Sequence, residues 1–256
     1  MTNGFDTKVY REQSHPLVKS IEWGNDVTDK FTTTYLITPR RPSILIMLTM
    51  RMTSLFISCL LTASAYYVAA DKVEFFVYYS HWSLFMLTIY FAVATVICFW
   101  SRQRRPQEPV NSYKLPWFIQ LQWIFFNVAC SCNLLTSLIY YLVLLVNKNN
   151  NNNLASPINN VIHLFNSLLV FVEVFISSIP IRLRNMYQCL LFTLLYGCFL
   201  VVYNKQTGEP VYRFLNWANQ KEMFELCVCS IIMLAAAYVV LYTINVIKTK
   251  IIKTII

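Results

Sequence analysis

The sequence predicts an all-α, polytopic membrane protein, a bundle of six transmembrane helices, and two observations lead to this prediction. Of the 256 residues, 57% are hydrophobic and only 13% are charged, whereas soluble domains are about 25% charged. Six apolar segments follow one another along the chain, and most exceed the roughly 20 residues that a helix needs to cross a bilayer. Alternating ten-residue strands, the pattern of a membrane β-barrel, do not occur in the sequence.

The apolar segments divide the chain into three regions. A polar tail over residues 1–42 precedes a transmembrane domain over 43–247, and a short basic tail covers 248–256. Within the domain the predicted helices span about 43–70, 75–100, 117–146, 158–181, 187–203 and 223–247, of which the fifth is the shortest.

The distribution of lysine and arginine predicts the orientation, because these residues are enriched in cytosolic loops. If the N terminus is cytosolic, eleven of them flank the cytosolic ends of the segments and five flank the other ends. We therefore expect both termini in the cytosol, in the plasma membrane or the endoplasmic reticulum. The net charge of +9 then reflects topology, and we expect the lipid bilayer as a partner and no nucleic acid.

Composition also excludes several kinds of site. All eight cysteines lie in apolar segments, where we expect small packing residues and no metal ligands. The four glycines form no phosphate-binding or dinucleotide-binding loop, so no cofactor is predicted. A channel or transporter is disfavoured, because its helices are typically broken by Gly or Pro in two matching halves. The spans of this chain are unbroken apart from Pro180, at one end of the fourth segment, and the two halves show no repeat.

A serine and a histidine in different segments are candidates for chemistry. Ser80 and His163 each lie five residues inside the non-cytosolic end of their segment, at a depth of about 8 Å. At equal depth on neighbouring helices they could form a nucleophile and its base, with Asn166 on the face of His163. The alternative is a hydrogen bond that only joins two helices. His81, beside Ser80, is a rival base, or an interfacial polar residue next to Trp82.

Two charged residues lie deeper in the spans. Arg51 in the first segment and Glu173 in the fourth differ in depth by about 6 Å, which an arginine side chain can bridge. We predict a structural ion pair between them. The alternative is that Arg51 extends to the cytosolic interface and Glu173 is protonated.

Four motifs give the chain a resemblance to a known family. They are Lys114-Leu-Pro-Trp117 with Gln122-Trp123, Tyr79-Ser80-x-Trp82, Leu215-Asn-Trp217, and His163-x-x-Asn166 followed by Glu173 and Pro180-x-Arg182. Over roughly residues 43–247 this pattern resembles the rolling stone family of multi-pass membrane proteins. The resemblance implies a role in membrane organisation or cell–cell fusion through protein partners, without a defined activity.

A second, more distant resemblance implies an enzyme. Rolling stone proteins are similar to the androgen-induced family of membrane hydrolases, which cleave fatty acid esters with an intramembrane threonine and histidine. Carried over by motif, the histidine falls on His163 and the threonine on Ser80, and a serine keeps the hydroxyl nucleophile. The expected function is therefore hydrolysis of lipid esters by Ser80 and His163, with Asn166 orienting the imidazole or stabilising the oxyanion. The alternative is a non-enzymatic membrane protein.

Overall fold

The fold comes from a computed structural model, which describes residues 29–34, 43–69, 72, 74–103, 115–149, 157–212, 217 and 219–255. Most of the predicted tail 1–42 lies outside the described residues, as do several of the loop lysines and arginines counted above. The described residues form seven α-helices: α1 Asp29–Thr32, α2 Ile44–Val68, α3 Tyr79–Gln103, α4 Trp117–Asn149, α5 Pro157–Ile176, α6 Met186–Thr207 and α7 Gln220–Ile255.

The predicted fold class is confirmed. Helices α2 to α7 are long and apolar enough to cross a membrane, and α4 is central, since it packs against α3, α5, α6 and α7. Large apolar side chains remain exposed on the outer faces, among them Tyr67, Phe224 and Leu194. Such a surface is unfavourable in water and favourable in lipid. The chain is thus an integral, multi-pass membrane protein.

Local sequence signals set several helix ends. The hydroxyl of Ser43 accepts a hydrogen bond from the backbone N–H of Ile46 at 3.3 Å, which caps α2. Gly208 ends α6 in the left-handed region, with φ of 73°. Helix α5 ends at Ile176, before the predicted end of this segment at residue 181, because Pro180 disfavours helical geometry in the residue before it.

The connection from α5 to α6 is fixed by contacts to two other helices. Trp123 of α4 donates its indole N–H to the carbonyl of Pro180 at 2.8 Å. The guanidinium of Arg182 lies over the Trp123 ring at 5.0 Å, and Tyr238 of α7 donates to the Arg182 carbonyl at 2.7 Å. Two motifs that are distant in sequence thus meet at one end of the bundle.

Candidate functional site

Two of the polar clusters within the described spans lie at opposite ends of α5. The first, the Arg51 cluster, contains Arg51, Tyr90, Cys98 and Glu173. The side chains of Arg51 and Glu173 are 0% and 3% exposed, and Arg51 Nη2 lies 2.9 Å from Glu173 Oε1. Arg51 Nε donates to the same oxygen at 3.2 Å, and the Tyr90 hydroxyl donates to it at 2.5 Å.

All the donors of the guanidinium are used. Arg51 Nη1 donates to the Phe31 carbonyl at 2.7 Å and to Cys98 Sγ at 3.0 Å, and Nη2 also reaches the Tyr90 oxygen at 3.4 Å. These contacts link α1, α2, α3 and α5. A buried charge pair whose hydrogen bonds are satisfied has little capacity left for proton transfer or ligand binding. We therefore propose a structural role for Arg51 and Glu173.

The second cluster, the histidine cluster, contains His81, Tyr140, His163 and Asn166. The His163 ring stacks on Tyr140 with the centroids 4.1 Å apart, and it interacts electrostatically with His81. His163 is 8% exposed and Asn166 is 1% exposed. Within the described part of the chain, His163 Nδ1 and Asn166 Oδ1 are buried without a hydrogen-bond partner. Burying an unsatisfied polar atom costs about 1–3 kcal/mol, so this cluster can gain from a polar ligand.

The predicted nucleophile lies in the first turn of α3. Ser80 is half-buried next to His81, and its carbonyl accepts a hydrogen bond from Ser83 Oγ at 2.9 Å. Among the described residues, no hydrogen bond joins the Ser80 hydroxyl to His163. The structure thus places Ser80 and both imidazoles at the same end of the bundle without forming the predicted hydrogen bond.

His81 has a defined orientation. Its Nδ1 lies 2.6 Å from the Phe75 carbonyl, and its ring stacks on Phe75 at 4.1 Å. A carbonyl oxygen only accepts, so the neutral ring carries its proton on Nδ1 and leaves a lone pair on Nε2. An imidazole held in this tautomer is able to accept a proton from a hydroxyl or from a second imidazole.

Sequence reasoning missed three features of these clusters. Phe31, from the predicted tail, is fully buried against the bundle, Tyr90 donates to Glu173, and Lys248 donates to two carbonyls at the end of α5. A single Phe in a polar tail carries no signal for the first, and an apolar segment carries none for the second. The third residue was predicted only as a charge at the membrane boundary. In the described ranges, no three His, Cys, Asp or Glu residues converge in a way that would hold a metal ion.

Comparison with known proteins identifies the family of the chain. The family described as protein rolling stone matches residues 23–255, which is nearly the whole chain. No curated protein and no solved structure matches the chain. The matched range includes both polar clusters and every helix of the bundle. The chain therefore belongs to the rolling stone family.

Proposed function

We propose that this rolling stone protein hydrolyses lipid esters at the histidine cluster, with the Ser80 hydroxyl as nucleophile and His163 as general base. The buried, unpartnered Nδ1 of His163 is the observation that carries the proposal. A histidine that only joins helices would use its ring nitrogens in hydrogen bonds. The Arg51 cluster, by contrast, has its donors satisfied, as expected for a purely structural group.

The surroundings of His163 support a lipid substrate. Leu164, Phe165 and Leu168 on the same helix are 57%, 38% and 51% exposed on the outer surface of the bundle. An ester that diffuses within the bilayer meets these residues directly. The depth of about 8 Å below the interface leaves water close enough to serve as the second substrate.

The proposed reaction has two steps. The Ser80 oxygen attacks the ester carbonyl, His163 accepts the hydroxyl proton, and the carbonyl electrons move to the oxygen, which the Asn166 amide stabilises. Collapse breaks the bond to the alcohol, which leaves with the proton from His163. Water then attacks the acyl-serine and releases the fatty acid, with the same histidine transferring the proton. Hydrogen bonds between nucleophile and base are often long before substrate binds.

Labelling with a lipid-like fluorophosphonate tests this proposal, because the probe reacts only with an activated hydroxyl. The protein as expressed is expected to label. Ser80→Ala abolishes the reaction, and Ser80→Thr, which keeps a hydroxyl, retains part of it. His163→Ala lowers the labelling rate by about 10²–10⁴-fold, the usual contribution of a general base. Ser101→Ala, at the other end of α3, is the matched control and labels normally.

The outcomes separate the two candidate functions. Equal labelling of the Ser80→Ala variant would move the nucleophile elsewhere. No labelling of a folded protein by either a polar or a lipid-like probe would refute the hydrolase proposal. The remaining candidate would then be the non-enzymatic role in membrane organisation or cell–cell fusion. His81→Ala shows which imidazole is the base, because the labelling rate falls only when the base is removed.

A further inference from the structure

A groove on the surface of the bundle joins an apolar lining to a buried lysine. It lies between α5 and α7, encloses about 220 Å³ and is lined by Phe175, Ile244, Ile247, Lys248 and Ile251. Phe175, Ile247 and Ile251 are about half exposed, so the groove opens towards the lipid. It is at the end of the bundle that the sequence predicts to be cytosolic, opposite the histidine cluster.

Lys248 is 5% exposed, and its ammonium group has capacity left. Nζ donates to the carbonyls of Val174 at 2.7 Å and Ser177 at 2.6 Å, which are carbonyls left free where α5 ends. An ammonium group has three donors, so one N–H remains. The nearby Ser177 hydroxyl is also buried without a hydrogen-bond partner in the described chain.

Within the described residues, Lys248 forms no ion pair with a carboxylate. The Oε1 atom of Glu173, ahead of Lys248's acceptor Val174 on α5, already accepts two hydrogen bonds from Arg51 and one from Tyr90. This carboxylate is therefore paired with Arg51. Satisfying the two carbonyls does not require a charge, because a neutral amide donor would serve. An excess positive charge in a poorly hydrated site attracts an anion strongly.

From this charge and this lining we infer that the groove binds an anionic phospholipid, with its phosphate on Lys248 and the start of one acyl chain against Phe175, Ile247 and Ile251. The volume takes only part of a lipid, and the rest remains in the bilayer. Basic sites between helices at the cytosolic face are suited to anionic headgroups, which are enriched in that leaflet. The exposed Lys250 on the same helix adds a general attraction that zwitterionic lipids do not feel.

Native mass spectrometry of the full-length protein in detergent tests the inference. The protein is titrated with phosphatidic acid, phosphatidylcholine and oleate. Phosphatidic acid is expected to bind about tenfold more tightly than phosphatidylcholine. Lys248→Gln, which keeps donors for the two carbonyls, is expected to remove the preference. Lys250→Gln, the matched control at an exposed lysine, is expected to retain most of it.

A second pair of variants keeps the test decisive if Lys248→Gln does not fold. Ile247→Trp fills the groove and leaves the charge, so it should weaken phosphatidic acid binding. Ile232→Trp, at a similarly exposed isoleucine on α7, should not. Equal binding of phosphatidic acid and phosphatidylcholine by the unaltered protein, or unchanged phosphatidic acid affinity in Ile247→Trp, would overturn the inference. Tighter binding of oleate than of phosphatidic acid would also overturn it, in favour of a free fatty acid.

Discussion

Removing one member of the Arg51–Glu173 pair tests most directly what holds the bundle together. In Glu173→Gln the guanidinium keeps its bonds to Phe31 and Cys98 but loses the carboxylate that balances its charge. In Arg51→Met the carboxylate retains only the donor of Tyr90. Breaking a buried pair in this way costs about 3–5 kcal/mol, because an uncompensated charge stays buried. We expect each single variant to lose this amount of stability.

The double variant separates the interaction free energy of the pair from the contributions of its two residues. Arg51→Met with Glu173→Gln removes both charges of the pair, and the Tyr90 hydroxyl still finds an acceptor in the amide. The remaining loss is one of the two hydrogen bonds to the Phe31 carbonyl, which keeps its bond from Gln122, together with the lost packing, about 1–3 kcal/mol. The double variant should therefore be more stable than the sum of the single losses predicts, by at least about 2 kcal/mol.

Reversible unfolding of the purified protein in detergent, followed by circular dichroism at rising denaturant, measures these differences. Arg102→Met is the matched control, since Arg102 is exposed at the end of α3, and it should change stability by less than about 0.5 kcal/mol. Strict additivity of the Arg51 and Glu173 losses would refute the reasoning. The charge-swapped variant, Arg51→Glu with Glu173→Arg, should recover only part of the loss, because a carboxylate at position 51 would face the Phe31 carbonyl.

Three further predictions concern other parts of the fold, and the same denaturation assay checks the first two. Phe31→Ala should cost about 3–5 kcal/mol, since Phe31 is fully buried edge-to-face against Trp123; a loss below 1 kcal/mol would mean that α1 does not pack on the bundle. Gly208→Ala should destabilise the protein by about 1 kcal/mol, because Gly208 has a positive φ. Gly197→Ala, inside α6 where a Cβ would meet no atom within 4 Å, should stabilise it by a similar amount. A stability change of the same sign in both variants would contradict this. Burial raises the pKa of Tyr212, so the unfolded chain releases this proton first and stability falls as the pH rises above about 10. In Tyr212→Phe that fall should be shallower in a pH series of melting temperatures, and an unchanged slope would exclude Tyr212 as a contributor.

Hydropathy and axial position account for what the sequence could predict. The six apolar segments correspond to α2–α7, because length and apolar character alone are enough to identify a spanning helix. Counting residues from the segment ends put Arg51 and Glu173 within reach of each other, and the structure has them 2.9 Å apart. This works because the rise per residue is fixed in a helix.

The rotation of each helix about its own axis within the bundle could not be predicted from the sequence. Depth arithmetic put Ser80 and His163 at one level, but it does not give the directions in which the two side chains point across the bundle. Those directions depend on packing between helices, which a single sequence does not encode in any simple period. For the same reason the hydrogen bond from Tyr90 to Glu173 could not be predicted.

The insertion of α1 was missed for a different reason. Residues 29–34 are mostly polar, and their composition is that of a solvated tail. The Phe31 carbonyl nevertheless accepts hydrogen bonds from Arg51 and from Gln122 of α4. Buried donors in the spans require acceptors, and a segment outside the spans supplies one. Residues 31–34 of the polar tail are therefore part of the buried structure, a relation that no local pattern in the tail reveals.

The two ends of α5 differ in a way that bears on function. Glu173 and His163 are ten residues apart, about 15 Å along the axis, and both are buried. At the Glu173 end the donors of Arg51 are satisfied and its charge is paired with Glu173, so substitutions of this pair should affect stability first. At the His163 end, His163 Nδ1 and the Asn166 side-chain oxygen lack hydrogen-bond partners among the described residues, which lowers the stability of the bundle. Apolar residues of similar volume at both positions would remove that cost, whereas in the proposed hydrolase the ester substrate would supply the missing hydrogen bonds. Hydrolase activity that falls in both His163→Ala and Asn166→Ala, while stability holds, would assign the unpartnered atoms to catalysis.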